Sequence, residues 1–192
     1  MTTDHRIVLL QVQRSPVKIG RAPMRYYDSA ALVPVTSIQV DPRGVHGITS
    51  AGEIILDVHH RDHPQSRDPG GDAGILLMGT GDYHALRERY GDHLTNGIAG
   101  ETILVDAPAG LAGGDLPDTV TVTTAAGPIE LRGVRVAEPC VEFSRFCLGR
   151  PTSPVVDDLV KATLRYLDGG SRGYRSIAAA SGTITVGDVI SF

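Results

Sequence analysis

Short runs rich in Val, Ile, Leu and Thr recur along the chain, at residues 7–13, 32–40, 53–58, 75–78, 102–106, 119–124, 129–136 and 183–190. Gly, Pro and Asp separate them, which is the pattern of strands joined by turns. Residues 119–124 read Thr-Val-Thr-Val-Thr-Thr and alternate cleanly, so one face of that strand should be wet. Ala125-Ala126-Gly127-Pro128 then turns the chain into the next run, a predicted hairpin. Two segments depart from the period of two. Residues 82–90 place Tyr83, Leu86 and Tyr90 at helical spacing, with Gly91 as a stop. Residues 154–167 carry an apolar stripe of Val156, Leu159, Val160, Thr163 and Leu167. Ser153 is the expected cap, Pro154 the first helical residue, and Gly169-Gly170 the end. Many short strands with a few peripheral helices make the chain mainly β, built as a barrel or a sandwich.

Composition narrows the function classes. A chain of 192 residues is expected to form one domain over 1–192 and to bury its own core. Its 41% hydrophobic and 21% charged residues are ordinary for a globular protein. A net charge of −4 argues against general nucleic-acid binding. Sixteen of the eighteen cationic residues are arginine, leaving Lys18 and Lys161 as the lysines. A GC-rich genome that favours arginine codons would account for that bias, and arginine's planar fork also suits phosphates and carboxylates. No apolar stretch approaches the ~18 residues of a membrane span. The apolar run Ile7 to Leu10 is too short for a signal-peptide core. A cytoplasmic protein with reduced thiols is expected.

Cys140 is one of two cysteines and follows Pro139 at the end of a strand-like run. A rigid strand end can present sulfur to a ligand, yet a free cysteine is usually a small buried hydrophobe, and the local residues leave both readings open. Arg135 and Arg145 would favour its thiolate, whereas Glu138 and Glu142 would oppose it. A hydrolase would need a histidine beside it, for which His46 and His84 are candidates. His59-His60-Arg61-Asp62-His63 is the densest group of potential metal ligands, with His46 or Asp72 as further donors, and a solvated loop is the competing reading. Residues 68–74 form a glycine-rich loop without a nucleotide-binding pattern. Gly100 would permit close backbone approach to an anion. Ser171-Arg172-Gly173-Tyr174-Arg175 is read as a flexible loop whose arginines either clamp a phosphate or stay exposed.

Four segments, in order, resemble the MOSC domain family, named after the C-terminal domain of molybdenum-cofactor sulfurase. They are Gly44-Val45-His46-Gly47, an early glycine-rich turn; Gly100-Glu101-Thr102-Ile103-Leu104-Val105; Val136-Ala137-Glu138-Pro139-Cys140; and Gly182-Thr183-Ile184-Thr185-Val186-Gly187-Asp188-Val189-Ile190. The resemblance is strongest over residues 35–192. It implies a MOSC-type β-barrel-like domain and makes Cys140 the reactive sulfur, as a persulfide carrier or a ligand to the molybdenum of a pterin cofactor. It places Gly100, Glu101 and Thr102 near that molybdenum cofactor. Arg145, Arg172 and Arg175 are candidates for the pterin phosphate on charge alone. Two positions depart from the family pattern. Thr102 replaces an asparagine, losing an amide donor and acceptor, and Ala137 stands where many members have arginine. The aminotransferase-like half of the sulfurase has no counterpart, so pyridoxal phosphate is not expected. The resemblance therefore implies either sulfur transfer or molybdenum-dependent reduction of N-hydroxylated compounds, with a sulfur donor or an electron-transfer protein as partner. A non-catalytic carrier of cofactor or sulfur is the alternative.

Overall fold

The computed structural model describes residues 2–68, 70–72 and 74–192, so Pro69 and Ala73 of the glycine-rich loop lie outside the described residues. The strands are β1 (Asp4–Gln13), β2 (Lys18–Ile19), β3 (Tyr26–Tyr27), β4 (Leu32–Val35), β5 (Ser37–Asp41), β6 (Gly44–Ile48), β7 (Ile54–Leu56), β8 (Ile75–Gly79), β9 (Ile103–Val105), β10 (Thr119–Thr124), β11 (Gly127–Val136), β12 (Tyr174–Ala178), β13 (Gly182–Thr185) and β14 (Val189–Ser191). The helices are α1 (Thr80–Tyr90), α2 (Val141–Cys147) and α3 (Asp158–Tyr166), the last running into a π turn over Leu167–Ser171.

Seven strands close into a barrel in the order β14-β10-β11-β12-β8-β9-β1, with β14 pairing back onto β1. β1 does this because it is long enough to change partners. Its start pairs with β14, its middle with β9 and its end with β4. The β8–β9 pair is parallel and the other pairs are antiparallel. A parallel pair needs a long crossover, and the segment containing α1 supplies it. Covered on both faces, these two strands read as continuous apolar runs rather than alternating ones. Ile75, Leu77, Ile103 and Val105 fill the barrel, while Met78 and Leu104 join an outer cluster with Tyr83, Leu86, Phe143 and Cys147. A second sheet, β13-β5-β6-β7, contributes Ile38, Val40, Val45, Ile55 and Ile184 to the barrel core.

The predicted hairpin is present. Val120 opposes Leu131 and Val122 opposes Ile129, all buried, while Thr119 and Thr123 point outward. Other expectations need correction. The run 32–40 divides at Thr36, because β4 pairs with β1 and β5 with β6. The run 183–190 divides where Asp188 Oδ2 accepts the Thr185 N–H at 2.8 Å, and its halves enter different sheets. Gly44–Ile48 is a strand, not a turn. Residues 174–178 form β12 rather than a flexible loop. α2 was not expected at all. α3 begins at Asp158, since the Asp157 carboxylate, not Ser153, accepts the N–H of Val160 at 3.0 Å. Among the described residues no helix is long and apolar enough to cross a membrane.

Candidate functional site

Cys140 opens onto a cavity of about 290 Å³ on the outer wall of the barrel. The residues around it come from several separate stretches of chain, with Gly74 and Leu76 contributed at the start of β8. Gln13 ends β1; Lys18 and Arg25 belong to the β2–β3 hairpin; His59 and Arg67 follow β7; Gly100 and Thr102 precede β9; Glu138 and Cys140 follow β11; Arg172 and Arg175 flank the entry to β12. Five of these side chains are cationic and one, Glu138, is a carboxylate.

The wall is built by backbone constraints. Gly100 has φ +79°, and a Cβ there would stand 2.9 Å from Gln13 Nε2. That nitrogen donates instead to the Gly100 carbonyl at 2.9 Å. Glu101 alternates to the other side. It is fully buried, its Oε2 accepts the Tyr83 hydroxyl at 2.6 Å and its Oε1 the Gly97 N–H at 3.0 Å. Burial pushes its carboxyl above the usual range. Burial, followed by the Glu101 charge and hydrogen bond, also raises the Tyr83 phenol. Glu101 therefore braces the loop, and Gly100 and Thr102 face the cavity. The Thr102 hydroxyl accepts the Leu76 N–H at 3.2 Å, which ties this edge to β8.

On the opposite wall, Gly173 has φ +91° and no room for a Cβ, which would meet the Leu77 carbonyl oxygen at 2.5 Å. This tight turn sets Arg172 and Arg175 side by side. Arg172 is 9% exposed, its guanidinium carbon sits 4.8 Å from the centre of the Phe143 ring, and its Nη1 has no hydrogen-bond partner among the described residues. A buried donor without a partner costs about 1–3 kcal/mol, so an anion in the cavity would relieve it. Burial, then the charge of Arg172, lower the affinity of Arg175 for its proton.

Cys140 is the partly exposed residue that caps α2, and its carbonyl accepts the Ser144 N–H at 3.0 Å and the Ser144 hydroxyl at 2.9 Å. Glu142 is bound by Arg25 Nε at 2.9 Å. Burial opposes its ionisation, yet its own backbone N–H, Lys18, Arg25 and the Cys140 side chain together hold its carboxyl below the usual range. Glu142 thus secures the hairpin.

Several sequence candidates lie elsewhere. Arg145 is absent from the cavity wall; it is buried, donates to the Val155 carbonyl at 3.1 Å and borders a separate hollow of about 60 Å³. Arg135 is engaged by Asp72 at 3.1 Å. His84 is an exposed residue of α1 paired with Glu88, and His46 packs against His60 with ring centres 4.7 Å apart. The histidine that shares the cavity with Cys140 is His59. His63 Nε2 donates to the Arg14 carbonyl at 3.2 Å, and among the described residues no group of three or more His, Cys, Asp or Glu is placed to hold a metal. Glu138, read from the sequence as a charged neighbour of Cys140, lines the cavity with it, whereas sequence reasoning missed Lys18, Arg25, Arg67 and Gln13 as cavity residues. The proline at 139 located the thiol, but no local signal marks the others.

No family model matches the chain, and no curated protein matches it in sequence. Solved structures do match in shape. The YuaD protein from Bacillus subtilis superposes with a TM-score of 0.61 at 12% identity, covering 100% of this chain and 96% of that one. YiiM from Geobacillus stearothermophilus, a MOSC-domain protein, gives 0.55 at 16% identity over 98% and 75% of the two chains. YiiM from Escherichia coli gives 0.53 at 10% identity over 96% and 68%. The fold is a MOSC-type barrel. The chain therefore shares an architecture with these proteins.

Proposed function

We propose that the chain is a MOSC-type protein that brings an anionic ligand to the sulfur of Cys140, either to carry sulfur as a persulfide or to ligate molybdenum in a pterin cofactor. One observation carries the reading: Cys140 shares its cavity with a buried guanidinium, Arg172, whose Nη1 has no partner among the described residues. The residues fit a phosphate-bearing pterin. Arg172, Arg175, Lys18, Arg25 and Arg67 would hold the phosphate, and Gly100 and Thr102 would border the ligand. Cys140 is the soft donor that a redox metal takes. When bound, molybdenum would supply oxygen-atom exchange; the chain itself binds, orients and shields. Without the metal, a Cys140 thiolate would attack the outer sulfur of a donor persulfide, the donor's S–S bond would break and its thiolate would leave, and an acceptor thiolate would take the sulfur from Cys140 by the same exchange. A sulfur donor or an electron-transfer protein is the implied partner.

Elemental analysis after expression with and without molybdate, alongside Cys140→Ala, tests the reading. Molybdenum in the wild type and not in the variant, or one added sulfur on Cys140 by mass, is the expected result. Molybdenum held equally by both proteins removes Cys140 as ligand. Neither molybdenum nor added sulfur overturns both forms.

A further inference from the structure

Arg145 carries a charge that the fold leaves unanswered. It lies in the last turn of α2 and only 5% of it is exposed. A guanidinium stays protonated at any ordinary pH, and an ion taken out of water is costly unless it is paired. Yet its acceptor among the described residues is neutral, the Val155 carbonyl at 3.1 Å from Nη2. The neighbouring cations are answered: Glu142 binds Arg25 and Asp157 binds Arg150. Arg145 forms no ion pair among the described residues, and one contact leaves most of its five N–H donors unused. The charge borders a hollow of about 60 Å³ beside the β2–β3 hairpin. Arg25 and Tyr26 line it from the hairpin, Glu142 and Arg145 from α2, and Arg150 and Thr152 from the loop after α2. That loop is folded back onto the helix, since the Arg150 N–H donates to the Arg145 carbonyl at 2.9 Å. The space suits a few water molecules or one small oxyanion. Three guanidinium groups face it against Glu142, with Asp157 engaged by Arg150, so one positive charge is left over.

We propose that this hollow is a second anion site, which takes a free tetrahedral oxyanion of the phosphate or sulfate class. The Arg145 guanidinium supplies the planar fork that meets two oxygens of such an ion. Arg150 and the Thr152 hydroxyl add donors from the loop, and Arg25 adds charge from the hairpin. The bound ion supplies the counter-charge that Arg145 lacks and joins the hairpin, α2 and the following loop at one point. The site goes beyond the reading of Cys140 and does not depend on it. The two hollows share Arg25, but neither Cys140 nor Arg172 borders the smaller one.

The test is calorimetric titration of inorganic phosphate into the Arg172→Gln protein, in which the larger cavity is weakened. That protein should still bind one phosphate; loss of all phosphate binding would overturn the second site and leave the cavity of Cys140 as the anion site. Adding Arg145→Gln should weaken the remaining binding by ~10-fold or more, the loss expected for a charge-assisted contact. Arg145 is buried, so circular dichroism must show that this variant folds. Arg150→Gln and Thr152→Val change less buried positions and carry the test if it does not, each weakening binding by about 3-fold to 10-fold. Isotherms superimposable on that of Arg172→Gln in the folded variants overturn the proposal. Nitrogen–proton spectra of the arginine Nε–H groups give the location directly. The Arg145 signal should shift with added phosphate and saturate with the calorimetric site, and an unmoved signal overturns the assignment. Phenyl phosphate should bind at least ~10-fold more weakly than the free ion, given the small volume. Equal affinity for the ester would overturn the assignment to a free oxyanion.

Discussion

Helix α2 has a cysteine at each end, and the two could hardly differ more in surroundings. Cys140, at the start, is partly exposed and meets a cavity rich in guanidinium groups. Cys147, at the finish, is fully buried in the cluster that holds Tyr27, Phe143 and Leu167, and burial pushes its thiol up to about 12. Arg172 lowers the Cys147 value, but desolvation outweighs it. The same residue type on the same helix is thus a candidate nucleophile in one place and filler in the other. Which one depends on whether the sulfur faces β12 and its arginines or the apolar backs of β8 and β9.

The comparison can be broken at several points. The largest expected effect is on chemistry: Cys140→Ala should lower any sulfur-transfer or reductase rate by ~10³-fold or more. Cys147→Ala should leave that rate within about twofold. Equal losses in the two variants, measured in one assay, would erase the distinction. Next in size, Arg172→Gln removes the guanidinium stacked on Phe143 and should weaken binding of inorganic phosphate or sulfate by ~10-fold to 100-fold, corresponding to the ~1.5–3 kcal/mol of a charged hydrogen bond. Isothermal titration would read it, and unchanged affinity would move the anion site away from this wall. The smallest effect is on stability at alkaline pH. Above the usual thiol range the unfolded chain releases the Cys147 proton while the folded chain keeps it, so the folded state binds more protons and stability falls as pH rises, until the folded value of about 12 is reached. Denaturant unfolding at pH 10 should show about 1–2 kcal/mol of this loss. Cys147→Ala should make the pH dependence shallower; an unchanged slope would place the alkaline sensitivity elsewhere.

Legibility followed the range of the interactions involved. The β10–β11 hairpin was readable because Val120, Val122, Ile129 and Leu131 alternate with polar neighbours and pair locally. β8 and β9 were readable as apolar runs because both their faces are covered. β12 was not, since Arg175 and Ser176 break the apolar pattern, and Arg175 does so because it faces the cavity. α2 was hidden by its length of seven residues and by Glu142 and Arg145, both buried against the fold. At the site, Cys140, Gly100, Thr102, Arg172 and Arg175 were named from the sequence and meet at one cavity. Arg145 and Glu101 were named as well but turn away from it, because a charge or a motif position carries no information on which way a side chain points. Lys18, Arg25 and Arg67 converge from distant segments, and only the closed barrel sets them side by side. His59 was singled out for its spacing to His63, but the fold ties it to Asp57, two residues earlier, rather than to His63.

The pairing of Asp4–Arg6 with Val189–Ser191 closes the barrel across almost the entire chain. Loops of that span are among the slowest contacts to form. The cavity draws its walls from β1, β8 and β12 together, so it does not exist in any half-assembled chain. Binding competence should accordingly appear in refolding experiments as a single late phase, and a nascent chain lacking its last strand should be unable to capture ligand early.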